Sequence, residues 1–127
     1  MKKSDAKLKK KLDAVFSLYI RHKYAQDGMV RCYTCSVSKP IKEIQNGHFV
    51  PRNILATRFL EDNCRPQCVG CNMFQRGRPD EFAAKLEREE KGTVERLNSY
   101  RYQAPIKYFP YEEKIEYYTQ ELKKLST

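Results

Sequence analysis

Nowhere in these 127 residues does an apolar run approach the roughly 18 residues that a membrane-crossing helix needs. A secretory signal is missing as well, because the N-terminus is rich in lysine and has no apolar stretch behind it. There is no internal repeat and no low-complexity segment. The cysteines number five, an odd count that argues against a simple disulfide framework. Together these shortages point to a soluble protein of the cytoplasm, where thiols stay reduced and paired cysteines mean metal more often than disulfide. Acidic residues are scarce in one part only. Residues 1–79 hold 16 Lys/Arg against 6 Asp/Glu, and residues 80–127 hold 9 against 10.

With 40% hydrophobic and 32% charged residues, the chain is read as a single α+β domain, 1–127, with a modest core. Its net charge of +9 lies wholly in the first 79 residues. A polyanion is the natural partner, since each phosphate neutralised releases a condensed counterion. Plain solvation of the surface is the alternative for such charge.

Residues 4–24 read as a basic amphipathic helix, with Leu8, Leu12, Val15, Phe16, Tyr19 and Ile20 on one face. A core spans residues 29–78. Within it, Met29–Cys32, Ile41–Ile44 and His48–Val50 have the look of short strands, and Asn46-Gly47 reads as a hairpin turn between the last two. Residues 52–63 read as a basic loop. The remainder, 79–127, is helical. Pro79-Asp80-Glu81 starts a helix that Gly92 stops, and Thr93 caps a short helix to about Tyr102. A last helix begins near Pro110. Its stripe of Tyr111, Ile115, Tyr118, Leu122 and Leu125 fits packing on the protein's own body or a dimer contact.

Two Cys-x-x-Cys pairs, Cys32/Cys35 and Cys68/Cys71, carry the strongest chemical signal. Each turn sets two thiolates on one side, and two such turns supply the four tetrahedral ligands of a closed, structural zinc site. Cys64 stands outside both pairs and reads as a small buried residue. His48, Asn63 and Asn72 follow in order inside and just after this bracket.

At these residues the sequence resembles the HNH (His-Me finger, ββα-metal) nucleases. The matching pieces are Gly47-His48-Phe49, Asn63 five residues before the second cysteine pair, and Asn72 directly after it. The segments Asn46–Phe49, Ala56–Phe59 and Asp62–Gln75 look like the phage NinG (Rap-type) recombination proteins. The resemblance implies a zinc-stapled ββα core with helices added on both sides. It also implies a metal-dependent endonuclease that cuts branched DNA or recombination (Holliday) junctions, working in a host-cell cytoplasm. His48 would be the general base, its ordinary pKa near 6.5 suiting proton removal from water. Asn72 would hold a catalytic Mg²⁺ or Mn²⁺, and Asn63 would hold the loop and help orient His48. Arg52, Arg58, Arg65, Arg76 and Arg78 are the candidates to clamp phosphates. Many relatives carry an aspartate where Gly47 stands here, so Glu43, Glu61 and Asp62 are the acids to examine as a second ligand. Symmetric junction cutting would call for a homodimer, with the last helix as the candidate contact. A zinc-stabilised DNA-binding accessory module that does not cut is the rival reading, and an RNA substrate also fits the charge.

Overall fold

The apolar face of the first helix becomes the floor of the main core. In α1 (Lys3–Lys23), Leu12, Phe16 and Ile20 are fully buried, with Leu8, Val15 and Tyr19 packed beside them. Their cover is α5 (Tyr111–Leu125), whose Tyr118 ring meets Phe16 edge-on at 4.8 Å and Tyr19 at 5.0 Å. The computed structural model describes residues 3–125. Tyr111, Ile115 and Tyr118 of the expected stripe thus belong to the protein's own interior, and a dimer built on that stripe would have to displace α1.

In the chain, two small antiparallel sheets come between these two helices. The first is β1 (Ala25–Gln26), β2 (Met29–Arg31) and β3 (Ser38–Pro40), in that order. Asp27 and Gly28, both at positive φ, close its tight turn. The second pairs β4 (Ile44–His48) with β5 (Cys64–Cys68), with Ile44 opposite Cys68 and His48 opposite Cys64.

This pairing corrects the expected hairpin. Asn46 and Gly47 sit mid-strand in β4 opposite Pro66 and Arg65, not in a turn. The glycine is there because of close approach. A Cβ on Gly47 would lie 2.0 Å from Oε1 of Gln67 and 2.7 Å from its Cδ. Gln67 is fully buried and donates from Nε2 to Thr34 Oγ1 and to the Gly77 carbonyl, so it cannot swing away freely. Gly47→Ala is therefore expected to destabilise the fold by about 1–3 kcal/mol, the usual cost of overpacking. Adding Gln67→Ala should cost much less in that background than alone. Thermal melts of the four proteins check this, and simple additivity would refute it.

The 49–63 connection is also more ordered than a loop. It contains α2 (Leu55–Arg58) and a 3₁₀ turn at Glu61–Asn63. Beyond β5, α3 (Pro79–Glu89) and α4 (Thr93–Ser99) bury Phe82, Leu86 and Leu97 around Val50. The cap of α4 is not Thr93: the Glu87 carboxylate accepts from the Gly92 and Val94 amides instead. No helix among the described residues is long and apolar enough to cross a membrane.

Candidate metal centre and the adjoining cleft

Cys32 follows β2 and Cys35 lies in the turn after it, while Cys68 ends β5 and Cys71 sits in the helical turn that follows. The Tyr33 amide donates to the Pro66 carbonyl at 2.8 Å, which ties the first cysteine pair to β5 and draws the two pairs together. All four sulfurs lie within 4.8 Å of one another. Cys35 Sγ and Cys68 Sγ are 3.7 Å apart, close to the edge of about 3.8 Å of a tetrahedron with zinc–sulfur bonds of about 2.3 Å. The Cys71 amide points at Cys68 Sγ (3.4 Å) and Arg78 Nη1 at Cys71 Sγ (3.9 Å), donors suited to thiolates. Four cysteines placed like this can hold a structural metal such as zinc. Cys64 is elsewhere. It is buried with Phe16 and Phe59, burial pushes its thiol up, and its sulfur approaches the Arg58 carbonyl at 3.8 Å.

Beside this centre lies a cleft of about 530 Å³. His48 and Asn72 both line it, with Gln45 from β4 and Lys10 and Asp13 from α1. His48 Nε2 lies 2.9 Å from the Arg58 carbonyl oxygen. A carbonyl only accepts, so Nε2 carries the proton and Nδ1 is left as the basic nitrogen. Burial depresses the imidazole to a pKa of about 4. It outweighs the bond to Arg58, which favours the charged form, and the Arg52 and Arg58 charges add to the depression. The ring is thus neutral at neutral pH. With only two histidines in the chain, imidazole NMR can follow His48 directly. It should show the Nε2–H tautomer and a midpoint near pH 4, and a midpoint near 6.5 would sink this assignment.

Asn63 is fully buried and away from the cleft. Its Oδ1 accepts from the Val50 amide (2.7 Å), and Nδ2 donates to the Val50 and Thr57 carbonyls (both 3.0 Å). From the end of the 49–63 connection it ties down Val50, two residues past His48, and Thr57, next to Arg58. Asn72 gives its Nδ2 to Gln45 Oε1 at 2.8 Å, which leaves Oδ1 as the atom able to ligate. The turn that carries it, Gly70–Phe74, is π-helical, with the Gln75 amide reaching Gly70 O at 3.0 Å, a local form found often at functional sites.

Of the five candidate arginines, Arg52 borders the cleft and Arg76 is exposed. Arg58 and Arg65 have their partners inside the protein. Arg58 grips Asp13 through Nε (2.9 Å) and Nη2 (2.5 Å). Arg65 lies between the Tyr24 and Tyr33 rings and donates to the Glu61 and Cys64 carbonyls. Arg78 pairs with Glu81 at 3.1 Å.

None of Glu43, Glu61 and Asp62 lines the cleft. Glu61 takes the Tyr19 hydroxyl and Lys23, and Asp62 pairs with Arg96. The acid that does line it, Asp13, went unnoticed because it is far upstream in the chain. One signal was available: Asp13 is the single acid between residues 6 and 26 of an otherwise basic helix.

The family model described as Bacteriophage Lambda NinG protein matches residues 1–127. No curated protein matches the chain, and no solved structure does.

Proposed function

The chain belongs to the bacteriophage lambda NinG family, and from that premise we propose that it is a metal-dependent endonuclease that hydrolyses phosphodiester bonds in branched DNA. One observation carries the reading. A neutral histidine with a free Nδ1 shares a basic cleft with an asparagine whose amide is oriented by a neighbour. The order β4, β5, helical turn, with His48 ending the first strand and Asn72 in the turn, supports a ββα-metal core.

In the proposed reaction, Nδ1 of His48 takes a proton from water as the water oxygen bonds to phosphorus. The P–O3′ bond then breaks and the 3′ oxygen leaves with the electron pair. The Arg58 carbonyl keeps the ring in the tautomer that can do this, and it strengthens its hold as the imidazole becomes cationic. Lys10 and Arg52 line the same cleft, cations available to the flanking phosphates. The donor set suits a hard cation: Asn72 Oδ1 would hold Mg²⁺ or Mn²⁺, with water and substrate phosphate as further ligands. When bound, that ion supplies charge stabilisation at the phosphate. Gly47 does not argue against this, since Gln67 occupies the space an aspartate there would need.

The test is incubation of the protein with a four-way DNA junction and with a linear duplex of equal length, with and without Mn²⁺. Manganese-dependent nicking confined largely to the junction is the expected result. Binding with no cutting under any divalent ion would leave a zinc-stabilised DNA-binding module in its place.

A further inference from the structure

Phe74 sits unlike any other phenylalanine in the chain. Of the six, Phe16, Phe59 and Phe82 are buried, and Phe49 and Phe109 are partly buried and packed against cores. Phe74 is 83% exposed, and Met73 before it is 61% exposed and lines the cleft. Single exposed apolar side chains are ordinary. Here two come in succession, directly after Asn72.

The backbone beneath them is held firmly. The Gln75 amide donates to Gly70 O (3.0 Å), the Gly77 amide to Cys71 O (2.8 Å), and Gln67 Nε2 to Gly77 O (2.8 Å). The segment is thereby tied to the second cysteine pair and to β5. Arg76, Gly77 and Arg78 all adopt positive φ, of 54°, 84° and 46°, a conformation that is uncommon for arginine. This bend turns the chain away immediately behind Phe74. A ring presented to solvent on so fixed a support loses little freedom when something stacks on it.

The surrounding charge narrows the occupant. Arg76 is exposed two residues on, and Lys10, Arg21 and Arg52 line the cleft. Asp13, the one acid of the cleft, is already paired with Arg52 and Arg58. An apolar protein surface docked here would have to bury those cations. A nucleic acid satisfies both demands, because phosphates meet the cations and a base offers its π-face to the ring.

We infer that Phe74, backed by Met73, stacks on an exposed base of a DNA strand whose backbone enters the cleft, and that this contact selects branched over continuous duplex. It rests on the reading of the cleft as a DNA site. In an uninterrupted duplex every base face is already covered by its neighbour, so the ring gains nothing. At a branch point a terminal or splayed base has a free face, and an apolar side chain can enter there at low unstacking cost.

The chain contains no tryptophan, so Phe74→Trp creates a single reporter at the site. The full chain is titrated with a four-way junction and with a matched linear duplex, without added divalent cation so that no cutting intervenes. Phe74→Trp emission should be quenched by the junction and little changed by the duplex. Phe74→Ala should bind the junction roughly 5- to 100-fold more weakly, as base–aromatic stacking predicts, with duplex affinity nearly unaltered. Both variants change an exposed side chain and should keep the melting temperature and zinc content of the wild type. If the wild type prefers the junction but Phe74→Ala keeps that preference, or if Phe74→Trp is quenched equally by both DNAs, the stacking inference is overturned while the DNA reading stands. If the wild type binds neither DNA, both are overturned.

Discussion

In the endonuclease proposed above, replacing His48 by alanine is expected to slow junction cleavage by roughly 10²- to 10⁴-fold, the usual worth of a positioned general base. Junction affinity should stay nearly unchanged, because His48 is neutral and offers phosphate no charge. The loss follows from one nitrogen. With Nε2 fixed on the Arg58 carbonyl, Nδ1 is the atom that can accept a proton in the cleft, and alanine has nothing to replace it. The substitution also leaves the Arg58 carbonyl with only the weaker Cys64 thiol contact, a loss of about 1 kcal/mol of stability. Rates must therefore be compared well below both melting temperatures. Equal single-turnover cleavage by the two proteins would remove His48 from the mechanism. A parallel fall in affinity and rate would instead make it a binding residue.

Stripping the metal from the cysteine site is expected to unfold the sheets altogether. The cluster there contains, besides three cysteines, only Val30 and Ile44, with Ala25 and Ile41 alongside. The strands of the first sheet are two or three residues long, too short to hold by pairing alone. Structural zinc sites contribute an apparent binding free energy of about 10–16 kcal/mol at neutral pH, against total stabilities of about 5–15 kcal/mol for ordinary domains. A chelator, or Cys68→Ser, should abolish the cooperative melt and release the metal, one ion per chain. Cys64→Ser should leave the zinc content unchanged, since that thiol stands apart from the four. One zinc per chain retained in Cys68→Ser would refute the four-cysteine assignment.

The helices were legible because their information is local. The apolar faces of α1 and α5, Pro79 and Gly92 mark elements within a residue or two of where they lie. The four cysteines were legible for the same reason, since each pair is a self-contained turn. Gly47 was misread because Asn-Gly is a turn signal only when nothing crosses the glycine. Gln67, twenty residues on, crosses it. The partners of Arg58 and Arg65 were not legible, because a charge in sequence carries no sign of its partner. Asp13 and the Tyr24 and Tyr33 rings reach them through the tertiary fold alone. Asp13 stood out only as a lone acid in a basic helix, and its place in the cleft was not legible because α1 meets β4 only once the chain has folded back.

The pairing of α1 with α5 also sets an order of events during synthesis. Phe16 and Ile20 leave the ribosome early, and the Tyr118 that covers them leaves about a hundred residues later. At the usual pace of translation that is a wait of roughly 5–20 s. Both cysteine pairs emerge within this interval, so the metal can be bound and β4 paired with β5 before the first helix has its cover. A nascent chain stalled before Tyr111 would then present a closed metal centre beside an open aromatic surface, the species that chaperones and proteases recognise.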